Sequence, residues 1–272
     1  MPMPMNLFLV RHGESELNQA NALSRRGDNA MFTAEFRRTQ DRQFRLTPRG
    51  RQQAQVTGAW LRQLGMPFHK FFVSDYVRAC ETAALLGLNG RWKIDYNLRE
   101  REWGKLSVLP DDERREKYGP ILLNRDGNGF YWSPLGGESM ANACMRADRV
   151  LGTFHRECSE NNVVVVNHGE MLWCFIVRLE RLTPFQYVEM DSSKDPLDRI
   201  HNCQVVHYTR QDPFTGQITP YYVWRRSVCP WCPSNSRNEW EKIVRVTYSD
   251  SDLLALAGKH QQFLPQTPKE DD

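Results

Sequence analysis

Leu7-Phe8-Leu9-Val10-Arg11-His12-Gly13-Glu14-Ser15 joins an apolar run to a charged segment that contains glycine. An apolar run without alternating polar positions is typical of a strand buried on both faces. Similar runs occur at residues 71–73 and 163–166, and longer helical patterns separate the three runs. Strands that alternate with helices predict an α/β protein, a three-layer α/β/α sandwich with a mainly parallel central sheet.

Two helical segments carry recognisable start signals. Thr47 precedes Pro48, a pair typical of an N-cap and a first helical turn, and Gly65 marks the expected end. A second helix is expected to begin near Ser139. Its apolar residues recur with the spacing of one buried face: Ala143, Ala147, Val150, Leu151 and Phe154.

The composition is that of an ordinary globular chain. The 272 residues carry a net charge of +3, too small for the dense basic stripe of a nucleic-acid-binding protein but compatible with a small phosphorylated substrate. No apolar run approaches the roughly 20 residues of a membrane span, and no signal peptide pattern is present. The seven scattered cysteines do not resemble a disulfide framework. We therefore expect a cytoplasmic protein with reduced thiols, and the oligomeric state stays open.

Three regions lie outside the predicted core. Residues 19–45, called the flap below, form a long polar stretch rich in arginine that indicates either a functional flap or partial disorder. We expect the flap to border the binding pocket, because it follows the first strand directly. Residues 211–264 indicate either edge strands, including 221–225 and 243–248, or a small appendage. The tail 265–272 is expected to be disordered.

The residues that follow the apolar runs carry the chemistry. Arg11 and His12 follow the first run, Arg78 lies shortly after the second, and His168 with Gly169 follows the third. Ligands of open parallel sheets bind outside the carboxyl ends of the strands, so these side chains are expected to converge. Arginine matches phosphate oxygens with a planar fork, and neutral imidazole is a nucleophile. The pattern therefore indicates phosphoryl chemistry.

The chain also resembles a known family, the histidine phosphatase superfamily, which includes the cofactor-dependent phosphoglycerate mutases. The resemblance runs from about residue 6 to about residue 210. It rests on blocks in the family's order: Leu9 to Ser15 with Asn18, Leu46 to Gly50 with Gln53 and Ala54, Ser74 to Ala79 with Glu81 to Ala83, Leu98 to Gly104, Gly137 to Ser139 with Arg146, and Val166 to Gly169. It implies a phosphoglycerate mutase-like fold, with a catalytic domain over residues 1–225 and an extension over 226–264 packed on it.

The resemblance also implies a mechanism. His12 attacks phosphorus to give a phosphohistidine, and Glu100 protonates the leaving oxygen and then activates water. Glu102 is the alternative acid, but the spacing to the aromatic residue and glycine favours Glu100. We hypothesise that the phosphate dianion raises the pKa of Glu100 enough to keep it protonated.

Phosphoryl oxygens need several fixed donors, because phosphoryl transfer gains mostly from positioning and from spreading charge. His168 is expected to share the catalytic role with His12 and Glu100. The implied phosphate-binding residues are Arg11, Asn18, Arg78, His168 and the backbone near Gly169. Because these groups supply positive charge, no metal and no cofactor are expected. Glu14 and Glu170 are interpreted as structural ion pairs.

Two alternatives to a phosphatase stay open. A phosphoglycerate mutase would use the same pocket and return the phosphoryl group to a bound product. A catalytically silent protein that binds a phosphorylated ligand is disfavoured, because such a protein would be expected to have lost His12, Arg78 or His168. The pair Cys229 and Cys232 has metal or redox spacing, but with no second pair of ligands a turn with free thiols is favoured.

Overall fold

The computed structural model describes residues 1–263, with the side chains of 121 and 123–128 excepted. The predicted tail 265–272 lies outside the described residues. Within them, one mixed sheet runs in the order β3-β2-β4-β1-β5-β6-β7. Its strands are β1 (Asn6–Arg11), β2 (Lys70–Val73), β3 (Trp92–Ile94), β4 (Asn162–Asn167), β5 (Val205–Thr209), β6 (Trp224–Val228) and β7 (Arg237–Lys242).

The three apolar runs form neighbouring central strands, as predicted. β1 pairs with β4 in parallel, with Leu7 opposite Val163, and β2 pairs with the other edge of β4. The prediction of a mainly parallel sheet holds only for the half that contains β3, β2, β4 and β1. From β5 onward every pairing is antiparallel. β5, β6 and β7 follow one another through connections without an α-helix, which antiparallel neighbours allow and parallel ones do not.

Helices cover both faces of the sheet and complete the predicted α/β/α sandwich. The helices of the described residues are α1 (Glu16–Ser24), α2 (Ala34–Arg38), α3 (Pro48–Gln63), α4 (Val77–Leu85), α5 (Asp111–Asn128), α6 (Met140–Glu157), α7 (Gly169–Glu180), α8 (Pro184–Ser192) and α9 (Asp250–Ala257). α3 and α4 bury their apolar residues against one face, with Phe8 and Val164. α6 and α7 cover the other face, with Leu9 and Val165. None of these helices is both long and apolar enough to span a bilayer.

The two predicted helix starts are confirmed. Thr47 Oγ1 accepts a hydrogen bond from Gly50 N at 3.0 Å, with Pro48 as the first residue of α3. Beyond the end of α3, Gly65 adopts a φ of +65°, a conformation that glycine adopts without strain. Ser139 Oγ caps α6 by accepting from Asn142 N at 3.1 Å.

The flap contains more regular structure than its sequence indicates, since it holds the end of α1, all of α2 and a short turn of 3₁₀ helix at Asp41–Gln43. Thr33 Oγ1 accepts from Phe36 N and caps α2. A local capping residue is enough to begin such a short helix, although the segment has no apolar period.

The C-terminal region adds edge strands to the sheet, at partly different positions from those predicted. The strand predicted at 221–225 begins at Trp224, and the one predicted at 243–248 is wrong, since the strand is Arg237–Lys242. Trp240 stacks edge-on against His207, with ring centroids 4.9 Å apart, whereas Val244 is 75% exposed. Aromatic packing on the sheet therefore selects the earlier segment over the alternating apolar one.

Candidate active site

The carboxyl ends of β1, β2 and β4 bring the predicted histidines together. His12 follows β1 and His168 follows β4, and their ring centroids lie 5.0 Å apart. Both side chains are buried, as is Arg78 near the start of α4. The convergence follows from the parallel register, in which Arg11 at the end of β1 lies opposite Asn167 at the end of β4.

Close backbone packing holds His12 in place. His12 N donates to Asn167 O at 2.9 Å, and Gly13 N donates to Thr82 Oγ1 at 3.0 Å. A Cβ atom at Gly13 would lie 2.4 Å from Gly50 O, so a side chain at this position is incompatible with the contact to α3. The loop after β1 is therefore clamped between β4 and the helices α3 and α4.

The two ring nitrogens of His12 have different partners. Nδ1 lies 2.6 Å from Gly13 O, a contact that requires the proton on Nδ1. Nε2 is then unprotonated, and its lone pair accepts a hydrogen bond from Arg78 Nε at 3.2 Å. Burial, followed by the charges of Arg78 and Arg11, holds the pKa of His12 well below its usual value. His12 is therefore neutral at physiological pH, with Nε2 as its basic atom.

His168 stands at the N-cap of α7, beside the ring of Tyr76 at a centroid distance of 4.8 Å. Its Nε2 is 2.9 Å from Ser74 Oγ. Its Nδ1 is buried and has no hydrogen-bond partner among the described residues. Burial and the neighbouring Arg78 lower the pKa of His168 well below the usual value. The imidazole is thus held by Ser74, in the loop after β2, while its Nδ1 is left without a partner among the described residues.

The two predicted arginines differ in their partners. Arg78 Nη1 donates to Asp41 O at 2.6 Å and lies 2.9 Å from the Asp41 carboxylate. Arg11 Nη1 donates to Ile200 O at 2.5 Å, and its Nε is buried with no hydrogen-bond partner among the described residues. One arginine is therefore ion-paired with the flap, and the other is held by a neutral backbone oxygen.

Glu100 lines the same cavity and accepts three backbone N–H groups on Oε1. The donors are Arg101 N at 3.0 Å, and Glu170 N and Met171 N at 3.2 Å each. Burial, and next the charge of Glu170, raise the pKa of Glu100 to about 7, although the hydrogen bond from Arg101 N and the charges of Arg78 and Arg11 lower it. The protein itself thus raises this pKa, an effect that the sequence analysis assigned to the phosphate dianion.

The neighbouring carboxylates have structural partners. Glu102 Oε1 accepts from Gly104 N at 3.1 Å. Glu170 accepts from Arg101 Nη1 at 3.0 Å and from Trp103 Nε1 at 2.6 Å. Glu170 is thus an ion pair, as interpreted from the sequence, but it also borders the cavity and acts on the pKa of Glu100.

The cavity in front of His12 has a volume of about 490 Å³. A second cavity of about 500 Å³ adjoins it and shares four lining residues: Arg11, Arg25, Glu100 and Glu170. The flap contributes Asn21, Arg25 and Asp41 to the lining, and α5 contributes Arg114 and Arg115. Asn18 lines the cavity at the first turn of α1, and Gly169 lines the adjoining one. Six of the seven predicted site residues therefore line these two adjoining cavities, whereas His168 lines neither and lies beside the ring of His12.

Two residues that contact the site side chains were not predicted from the sequence, Ser74 and Asp41. Ser74 directly follows the second apolar run, and this position was the available signal for its contact with His168. Asp41 carried no such signal, because it lies among arginines in a segment without a period. Its place on Arg78 depends on how the flap folds back over the sheet.

Cys229 and Cys232 belong to the connection between β6 and β7, and both thiols are free. Cys232 N donates to Cys229 O at 3.0 Å, which is the turn favoured from the sequence. In the described part of the chain, histidine, cysteine and carboxylate side chains do not form any group of three or more suited to a metal ion.

Comparison with known proteins identifies the family. A profile of the histidine phosphatase superfamily (branch 1) matches residues 7–194. A 2,3-bisphosphoglycerate-dependent phosphoglycerate mutase of Parvibaculum lavamentivorans is 32% identical over 200 residues, covering 70% of this chain and 86% of the relative. The enzyme of the same name from Azorhizobium caulinodans is 34% identical over 188 residues, covering 65% of this chain and 82% of the relative.

Solved structures share the fold at lower identity. A mycobacterial glucosyl-3-phosphoglycerate phosphatase superposes with a TM-score of 0.59 at 20% identity, covering 75% of this chain and 89% of that one. The alpha-ribazole phosphatase of Shigella flexneri superposes with a TM-score of 0.60 at 19% identity, covering 79% and 96%. With the profile match and the relatives above 30% identity, the chain belongs to the histidine phosphatase superfamily.

Proposed function

We propose that the protein is a phosphatase that hydrolyses phosphate monoesters through a phosphohistidine on His12. The observation that carries the proposal is the contact of His12 Nδ1 with Gly13 O at 2.6 Å, which places the ring proton on Nδ1 and leaves Nε2 unprotonated beside Arg78. A buried, neutral imidazole whose Nε2 is unprotonated and lies beside guanidinium groups can act as a nucleophile toward a bound phosphoryl group, once the hydrogen bond from Arg78 shifts to a phosphoryl oxygen.

In the first step, His12 Nε2 bonds to phosphorus as the bond from phosphorus to the ester oxygen breaks. Arg11, Arg78 and Asn18 donate to the phosphoryl oxygens, and so does the backbone near Gly169, while His168 lies next to them. Fixed donors of this kind stabilise the charge that spreads over the equatorial oxygens. The Nδ1–H bond to Gly13 O stabilises the cationic imidazole of the intermediate.

Glu100 supplies the proton. With a pKa of about 7, a large part of Glu100 is protonated at neutral pH, and it gives that proton to the leaving alkoxide. The resulting carboxylate then takes a proton from water as the water oxygen attacks the phosphohistidine. The products are the alcohol, inorganic phosphate and free His12, with Glu100 protonated again.

A phosphoglycerate mutase is the second candidate, since the curated relatives carry that name. A mutase would use the same phosphohistidine but transfer the phosphoryl group back to a bound product rather than to water. Exchange between 2- and 3-phosphoglycerate distinguishes the two activities, because a phosphatase releases inorganic phosphate from its substrate and does not interconvert the isomers.

The test is hydrolysis of an aryl phosphate with excess chelator at mildly acidic to neutral pH, by the wild type and by His12→Ala. We expect chelator-resistant hydrolysis that falls by about 10³-fold or more in the variant, together with a phosphohistidine signal by ³¹P NMR in the wild type alone. His155→Ala, at the exposed end of α6, is the control and keeps wild-type activity. Unchanged hydrolysis in His12→Ala would overturn the proposal.

A further inference from the structure

The connection between β6 and β7 reaches a segment that packs against the loop carrying His12. Trp231, in the turn of Cys229 and Cys232, donates through Nε1 to Asn202 O at 2.6 Å. Its ring also lies 5.2 Å from the guanidinium carbon of Arg49, near the start of α3. Asn202 and Trp231 both lie beyond residue 194, where the family profile ends. A part of the chain outside the match therefore holds a segment next to the site.

Asn202 then contacts two site residues with a single amide nitrogen. Its Nδ2 donates to His12 O and to Asn18 Oδ1, both at 3.1 Å. The next residue, Cys203, donates its backbone N–H to Arg11 O at 3.1 Å and to His12 O at 3.2 Å. Cys203 has a φ of +53°, a conformation that residues other than glycine rarely adopt. The segment is thus held in an unusual conformation against the backbone of the nucleophile.

The contact with Asn18 decides which way its amide points. Asn18 Oδ1 accepts from Ser15 N at 3.2 Å and from Asn202 Nδ2 at 3.1 Å. These two donors occupy the oxygen, so the amide nitrogen of Asn18 is the atom left for the cavity that this residue lines. A phosphoryl oxygen is an acceptor, and only the nitrogen side of the amide binds it favourably.

We propose that Asn202, held by Trp231, is a positioning residue that fixes the amide of Asn18 with its donor toward the phosphoryl group. The same side chain holds the carbonyl of His12. This inference rests on the proposed function, because it assigns the polarity of one phosphate contact in that site. It also gives the connection between β6 and β7 a role in positioning the site, although this connection lies far from His12 along the chain.

Asn202→Asp is the sharpest variant, because it replaces the donor with a carboxylate that faces two acceptors, His12 O and Asn18 Oδ1. The Asn18 amide is then expected to turn its NH₂ toward the new carboxylate and its oxygen toward the phosphoryl site. We expect orthovanadate to bind about tenfold more weakly or worse, measured by calorimetry, with a smaller loss in Asn202→Ala. Thermal unfolding checks that each variant is folded.

A double-mutant cycle separates positioning from a general structural role. In an Asn18→Ala background there is no amide to turn, so the extra loss of Asn202→Asp over Asn202→Ala should largely disappear. Trp231→Phe removes the indole donor and keeps the ring near Arg49, and we expect a smaller loss of the same kind. Trp240→Phe, on β7 against His207, is the matched control and leaves vanadate binding unchanged.

Equal vanadate affinity in Asn202→Asp and the wild type would overturn the proposal, as would additive effects with Asn18→Ala. The readout does not need turnover. If the wild type binds vanadate but hydrolyses no ester, the proposed function fails while the positioning role is still decided by the cycle. If the wild type hydrolyses esters and the variants bind vanadate normally, the positioning role alone fails.

Discussion

The carboxyl edge of the sheet and the flap meet at Arg78, and they are held in different ways. At the edge, His12 is fixed by hydrogen bonds to Asn167 and Gly13 and is 2% exposed. The flap instead attaches partly through ion pairs near the surface, such as Arg37 with Glu113 at 2.7 Å, whose side chains are 37% and 22% exposed. Ion pairs near the surface contribute little and are screened by salt, whereas buried hydrogen bonds fix geometry.

The two regions also differ in the charge that they bring to the site. The edge presents the cations Arg11 and Arg78, as a phosphate site requires. The flap presents the carboxylate of Asp41, 2.9 Å from Arg78 Nη1. A carboxylate and a phosphoryl oxygen are both acceptors for the same guanidinium donor. The edge therefore provides the chemistry, and the flap contributes a group that competes for it.

Removing the edge cation has the largest expected effect in this comparison. Arg78→Ala takes away the donor beside His12 Nε2, and we expect kcat/KM for an aryl phosphate to fall by about 10²- to 10³-fold. Arg26→Ala, in the exposed part of the flap, is the matched control. Substitutions of surface side chains usually have small effects, so we expect it to change kcat/KM by less than about twofold. A loss below about tenfold in Arg78→Ala would refute the division between edge and flap.

The pH dependence gives the next effect in size. The protonated form of Glu100 predominates below its pKa of about 7, so hydrolysis of an alkyl phosphate, which has a poor leaving group, should fall as the pH rises through 7. Glu170→Gln removes the charge that raises this pKa, so the decline should move to lower pH. The groups facing Glu100 are Arg11 on β1, Arg78 on α4, and the N-terminus of α7 with Glu170.

Glu102→Gln is the control for this profile, because its carboxylate caps Gly104 rather than facing Glu100. The profile of Glu102→Gln should match that of the wild type. If the decline in activity of Glu170→Gln occurs at the same pH as in the wild type, or at higher pH, Glu170 does not raise the pKa of Glu100.

Most of the edge could be predicted from the sequence because its signals are local. The apolar runs identify the central strands, and His12 and His168 are placed by lying next to them along the chain. The caps at Thr47 and Ser139 each bond to the backbone N–H three residues later, so they too can be predicted from the local sequence. The convergence of the two histidines then follows from the general rule that ligands bind at the carboxyl ends of parallel strands.

The rest depends on contacts between distant segments, which a single sequence does not reveal. Asp41 and Arg78 are 37 residues apart, and Asn202 and His12 are 190 apart. Neither pair shows a period or a motif that links its members. The strand wrongly expected at 243–248 has the same origin, because apolar alternation does not specify which segment will find an aromatic partner on the sheet.

The smallest expected effect tests the flap directly. Asp41→Asn keeps the size of the side chain and removes the charge that competes for Arg78, so orthovanadate should bind about two- to tenfold more tightly. The gain should shrink as salt is added, because the Asp41 carboxylate is partly exposed and repels the anion through solvent as well. Asp28→Asn is the matched control, since among the described residues its carboxylate bonds only to Ala30 N within the flap, and it should leave affinity unchanged. Weaker binding in Asp41→Asn would mean that the flap carboxylate orients Arg78 for the phosphoryl group, and the flap would then belong with the edge.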